Sequence, residues 1–256
     1  MPHYSLQIAD QDILQKLQQH GENNSATPFH FFDVGCGPGV LSFEFVHQYR
    51  NALKDIRITA SDFSHGMVQH GKDSFKSDST LSPFSDMSGT LQCDRMVLEE
   101  VANASVDIIG SNFGGSNRAI GYAAAYRILK KDGLLFITVW SDTCLQMVWL
   151  DKITGMFNSA QVGQDSMSYP SLSFGTDRDK CVKELGEAGF TDVKSYCTTC
   201  TILFNDLEQV MIELIEKESQ QNVYSDVEAK MNITDPLPDG GPRLIPFTGF
   251  TVIARK

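Results

Sequence analysis

The chain has 256 residues, 41% of them hydrophobic, enough to bury a large core. Its formal net charge is −11 and its pI is near 4.9, a balance that repels a phosphate backbone and argues against nucleic acid as a partner. No apolar run approaches the roughly 18 residues that span a bilayer, and the start, MPHYSLQIADQDILQ, lacks an apolar signal-peptide segment, so no membrane partner and a cytoplasmic location are predicted. Leu6 to His20 reads as an amphipathic helix ahead of a Gly/Asn/Ser linker over residues 21–27. The run HFFDV from His30 is an apolar strand that ends in an acidic residue, Asp33, and a loop with glycine at every second position: Gly35, Gly37 and Gly39 around Cys36 and Pro38. Those glycines permit backbone angles closed to other residues and a close approach to a ligand, and Val40 to Tyr49 then looks helical.

The spacing bears on which ligand. A dinucleotide fingerprint, G-x-G-x-x-G, would need its third glycine at position 40, where Val40 stands. Pyrophosphate is therefore disfavoured, and the Asp33 carboxylate suits a cation or an amine. The D-x-G-x-G-x-G pattern of Asp33 to Gly39 resembles motif I of the class I S-adenosylmethionine-dependent methyltransferases. The matches that follow resemble the small-molecule, ubiquinone-biosynthesis-like group of that family.

Asp55 to Ser61 alternates as a strand does and ends at Asp62, ahead of a helix from Gly66 to Lys76. A carboxylate one βα unit after the glycine loop can accept hydrogen bonds from both ribose hydroxyls of a nucleoside; Ser64 is an N-cap for the helix, and Asp62 supporting that cap is the structural alternative. The segment ASDFSHGMV resembles the family's second motif, which implies that Asp62 holds the ribose and that Phe63 and Met67 line the adenine. A short strand over Thr90 to Cys93 leads to Asp94 and Arg95, where the resemblance places an acidic residue near the adenine amino group and a backbone donor near the ring.

Val106 to Gly114 is a buried-strand pattern broken by glycines at its C-terminal end, and ligands in open α/β sheets lie outside the carboxyl ends of strands, so Asn112, Phe113 and Gly114 are expected to face the methionine moiety or the methyl acceptor. Asn112 is not followed by the Pro-Pro-aromatic signature of enzymes that methylate nucleic-acid bases. Ile120 to Lys130 reads as a helix with Arg127, Lys130 and Lys131 complementing its negative end, Lys131-Asp132-Gly133 as a stop, and Leu134 to Trp140 as a strand. Asp142 follows that strand as the one carboxylate considered for deprotonating an acceptor, but no catalytic residue and no metal ligand is assigned.

Beyond residue 142 the resemblance thins. Asp177 to Gly189 reads as a capped helix, Phe190 to Phe204 as a strand, Leu207 to Ile215 as part of an amphipathic helix, and PFTGFTVIARK as a last strand hairpinned antiparallel to the sheet's edge. The six cysteines are expected to be free thiols, Cys197 and Cys200 being read as strand filler rather than a redox or zinc pair. The expected architecture is α/β, a doubly wound, mostly parallel seven-stranded sheet with an antiparallel last strand and a helical cap or lid. A single domain over residues 1–256 is expected to comprise an N-terminal helical segment (1–29) closing over the cofactor, a cofactor-binding core (30–142) and lid insertions at 143–176 and 205–246. The resemblance implies an enzyme that moves a methyl group from S-adenosylmethionine to a small organic molecule, with a protein substrate or a non-methylating cofactor-binding protein as alternatives.

Overall fold

The computed structural model describes residues 2–22, 27–52, 56–62, 65–77, 88–92, 98–113, 118–141, 175–204 and 243–256. In chain order the elements are α1 (Pro2–Glu22), β1 (Phe29–Val34), α2 (Val40–Tyr49), β2 (Ile56–Asp62), α3 (His65–Ser77), β3 (Ser88–Gln92), β4 (Val106–Asn112), α4 (Arg118–Ile128), β5 (Leu129–Ser141), β6 (Gly175–Thr176), α5 (Arg178–Glu187), β7 (Thr191–Phe204) and β8 (Arg243–Arg255). The strands form one eight-stranded sheet of order β3-β2-β1-β4-β5-β8-β7, with the two-residue β6 paired to β5 off that path. The sheet is parallel from β3 to β5, and β8 runs antiparallel to both of its neighbours. All six residues of β1 are buried, as a central strand covered on both faces requires.

One face is covered by α1 and α2. Leu6, Ala9, Ile13 and Leu17 of α1 join Leu41, Phe45, Val46 and Tyr49 of α2 over Phe31, Ile58, Ile108 and Phe136. The predicted N-terminal helix is thus a layer of the core, packed on β4, β5 and β8. Tyr49 ties the two helices together, its hydroxyl donating to Asp10 at 2.8 Å. Phe31 stacks on Phe45 at 3.9 Å, with Phe136 at 6.3 Å. Gly110 of β4 yields the space these rings occupy: a Cβ there would lie 2.7 Å from Phe136, 2.9 Å from Leu41 and 3.0 Å from Phe31.

The opposite face carries α4 and α5, whose Tyr122, Ala125, Ile128, Cys181 and Leu185 pack on Phe32, Ile109, Leu135 and Val252. Both ends of α5 follow the predicted chemistry. The Asp177 side chain accepts from the Lys180 amide at 2.7 Å, and Gly189 at φ 102 ends the helix in a pair of bonds, Gly189 N–H to Gly186 and Phe190 N–H to Leu185. Arg127 stands in the last turn of α4 as predicted, but the direct bonds to the helix-end carbonyls come from another residue. Lys256 donates to the carbonyls of Tyr126 and Leu129 at 2.6 and 2.7 Å. Arg127 instead reaches the carbonyls of Val101 and Leu98, and Lys130 pairs with Asp107 at 2.7 Å. The helix also stops earlier than predicted, because Leu129 already pairs with Val106 and the chain bulges before Leu134 pairs with Ile108.

Three further expectations are corrected. The sheet has eight strands rather than seven, the last of them, β8, being antiparallel as expected and lying between β5 and the edge strand β7. β8 also begins at Arg243, so residues 243–246, expected in a lid, are strand paired with Thr201–Phe204. Gly175 and Thr176 likewise pair with Trp140 and Ser141 of β5. The remaining segments expected to form a lid, 143–174 and 205–242, lie outside the described residues. Cys36, Cys181 and Cys197 are free thiols, and Cys197, on β7, is exposed. No described helix is long and apolar enough to cross a membrane.

Candidate functional site

The strand order reverses between β1 and β4, and the carboxyl ends of the parallel strands meet at that crevice. The loop leaving β1 turns through Gly35, Gly37 and Gly39 at φ 69, 52 and 89, angles at which an L side chain is strained. Nothing lies within 4 Å of where a Cβ of Gly37 would stand, so this part of the loop faces open space. Cys36 is buried beneath it, its amide donating to the Ser61 carbonyl at 2.8 Å and its thiol directed at the Gly37 carbonyl at 3.4 Å.

One carboxylate braces the loop and a second braces the helix that follows it. Asp62, at the tip of β2, accepts from the Gly37 amide at 2.9 Å, so it is tied to the loop rather than serving only its own helix. Asp33, at 0% exposure, directs Oδ2 at Ser42, accepting from its amide at 3.1 Å and its hydroxyl at 2.7 Å. Ser42 stands in the first turn of α2, whose N-cap is Gly39 with no capping side chain. Asp33 therefore satisfies a helix-end amide from the neighbouring strand. Its other oxygen, Oδ1, has no hydrogen-bond partner. Burial raises the Asp33 pKa to about 7; the Ser42 hydrogen bonds oppose that shift and the nearby charge of Asp62 adds to it.

On the other side of the crevice Asn112 ends β4 and Phe113 follows at φ 55, in the left-handed region. Phe113 is anchored there by its amide, which donates to the Thr138 carbonyl at 2.8 Å, and by its ring, which stacks on Trp140 at 3.9 Å. Gly249 of β8 lies beneath the pair: a Cβ on it would stand 3.3 Å from Phe113, 3.7 Å from Trp140 and 2.8 Å from the Val139 carbonyl.

Of the predicted site residues, Asp33, Gly35, Cys36, Gly37 and Gly39 lie together at the end of β1, with Asp62 bonded to Gly37 and Cys36 to Gly39, and Asn112 and Phe113 stand at the tip of β4, the neighbour of β1. Met67 lies on α3 with 45% of its surface exposed. Phe63, Asp94, Arg95, Gly114 and Asp142 are outside the described residues. Sequence reasoning missed Ser42, Trp140 and Gly249. Ser42 left a trace, a small polar residue in the apolar helix VLSFEFV. Trp140 and Gly249 left none, because their meeting depends on β8 lying against β5.

The arrangement fits a nucleoside ligand with a cationic tail: a buried carboxylate with an orphaned oxygen precedes a glycine turn that is open at Gly37, and a second carboxylate stands at the adjacent strand tip. The family model for the ubiE/COQ5 methyltransferase family matches residues 5–203. No curated protein matches the chain. Among solved structures, a candidate methyltransferase from Bacillus halodurans C-125 aligns with a TM-score of 0.61 at 20% identity, covering 95% of this chain and 98% of that one. The YcgJ protein of Bacillus subtilis aligns with a TM-score of 0.63 at 11% identity, covering 94% and 98%. Phosphoethanolamine N-methyltransferase 2 of Haemonchus contortus, solved with phosphomonomethylethanolamine and S-adenosylhomocysteine, aligns with a TM-score of 0.50 at 14% identity, covering 94% of this chain and 52% of that one.

Proposed function

The chain belongs to the ubiE/COQ5 methyltransferase family, S-adenosylmethionine-dependent enzymes, and from that membership we propose that it methylates an oxygen, nitrogen, sulfur or carbon nucleophile of a small organic molecule. The observation that supports the reading is the glycine turn held by Asp62 through the Gly37 amide, with Asp33 buried at its start and bonded to Ser42 of α2. When bound, S-adenosylmethionine supplies a methyl group already activated by its sulfonium. Asp33 and the amides of the turn would hold the amino-acid end, and Asp62 the ribose. Phe63 and Met67 would flank the adenine, with Asp94 and Arg95 at its polar edge. Asn112 and Phe113, with Trp140 stacked behind, would wall the place where the acceptor meets the methyl group.

Such a wall contributes by orientation. Holding two reactants in line supplies up to about 7–11 kcal/mol of a barrier, so no strong general base is demanded of the protein. A small acceptor is supported by the acidic surface, which disfavours nucleic acid. The Haemonchus contortus enzyme, captured with a small phosphorylated amine, is an example of this fold accepting a small molecule.

Titration calorimetry with S-adenosylhomocysteine tests the cofactor site. Wild type is expected to bind, and Asp62→Ala to bind about ten- to a hundredfold more weakly, as the loss of a charged hydrogen bond predicts. Absence of heat with the intact protein would refute the reading. Incubation with methyl-labelled S-adenosylmethionine and a metabolite extract then tests the acceptor: label in a small product supports the proposal, while label in protein, or binding without transfer, favours the alternatives.

A further inference from the structure

Among the described residues, Asp33 Oδ1 is the one buried side-chain nitrogen or oxygen with no hydrogen-bond partner. The described groups around it are engaged elsewhere. From α2, Ser42 gives both of its donors to Oδ2. From β2 come the like-charged Asp62 and Ser61, whose hydroxyl turns to the Asp33 main-chain carbonyl at 3.5 Å. From β4 the paired residue is Gly110, which has no side chain. From the loop, the Cys36 thiol is directed at the Gly37 carbonyl and the Gly37 amide at Asp62. No cation is among them.

An ionised carboxylate in such a place has one buried oxygen without a hydrogen-bond donor among the described residues, a state that buried groups avoid by taking up a proton. We propose that Asp33 carries a proton in the ligand-free protein and releases it to solvent when the cofactor's ammonium end binds, so that recognition of the ligand and the charge on Asp33 form one equilibrium. This rests on the functional reading above and adds to it a selection rule. Asp33 stays neutral toward ligands without a positive tail and becomes anionic only for those that bring one. The step is a proton transfer alone: the O–H bond of Asp33 breaks, the proton passes to buffer, and the positive charge of the ligand's ammonium balances the carboxylate formed. The residue's acidity, near pH 7, places the exchange in the physiological range.

The test is calorimetry of the full chain with S-adenosylhomocysteine in phosphate and in Tris, whose ionisation heats differ. At pH 7 the two buffers are expected to report release of about half a proton, with affinity falling about tenfold per pH unit below 7. Asp33→Asn, which keeps the shape, is expected to bind more weakly with no release. 5′-Methylthioadenosine, which lacks the amino-acid tail, is expected to bind wild type with no release, and this arm needs no variant. Equal heats in the two buffers for S-adenosylhomocysteine, release retained in Asp33→Asn, or release caused by 5′-methylthioadenosine would each overturn the proposal. Failure of S-adenosylhomocysteine to bind at all would overturn the cofactor reading itself, an outcome distinct from binding without proton release.

Discussion

Asp33 is held where a ligand can use it at some cost to the ligand-free fold. With its acidity shifted to about pH 7 by burial, it binds a proton more tightly folded than unfolded. Its contribution to stability is therefore lost as pH rises from the unfolded value near 4 to about 7, by an amount on the order of 4 kcal/mol at most. Thermal melts of ligand-free protein should show Asp33→Asn melting above wild type at pH 8 and level with it at pH 4; a variant less stable at pH 8 would contradict this. His30, three residues earlier on the same strand, has the opposite sign. Its ring nitrogens lie 3.1 Å from the Ser105 carbonyl and 2.8 Å from the Thr59 hydroxyl, and burial lowers its pKa to about 4. The stability it contributes is complete above about pH 6.5 and is lost as pH falls toward 4. His30→Gln is expected to remove that acid-side loss, measured as a flatter melting temperature between pH 4 and 6.5.

Among the elements, β4 and α1 carry the clearest predictions. A methyl group at Gly110 would meet three buried side chains at 3.0 Å or less, none of them free to swing into solvent. Gly110→Ala should therefore cost about 1–3 kcal/mol in denaturant unfolding, and Phe136→Leu in the same chain should recover part of it, a coupling expected of atoms in contact. Because α1 is a layer of the core, Ile13→Ala should cost about 2–5 kcal/mol; a change within 0.5 kcal/mol would mean that α1 is dispensable. Elements with local signals were readable in the sequence. α5 announced both ends through Asp177 and Gly189, and the turn after β1 through its three glycines, because caps and turns are set by neighbours a few positions apart. What could not be read was long-range. Nothing near Ser42 in the chain says that a strand carboxylate will meet it, and nothing in PFTGFTVIARK distinguishes an edge strand from an interior one. Trp140 read as a strand residue, while its role as the partner of Phe113 follows from the tertiary fold.

At the scale of the molecule, the two ends of the parallel strands have different work. The amino end is closed by a polar lock: Asp107 accepts from the His30 amide at 2.9 Å and from Lys130 at 2.7 Å. The carboxyl end holds the open turn, the orphaned oxygen and the strained Phe113, the features a ligand would use. The placement of β8 has a consequence for how such a chain is made. β7 reaches the rest of the sheet only through β8, yet β8 follows it in the chain, so a ribosome synthesising this protein exposes the rim of β5 until residues 249–255 emerge. Fragments ending before residue 243 should consequently accumulate in inclusion bodies or depend on chaperones, since an uncovered β5 is a template for pairing with other nascent chains.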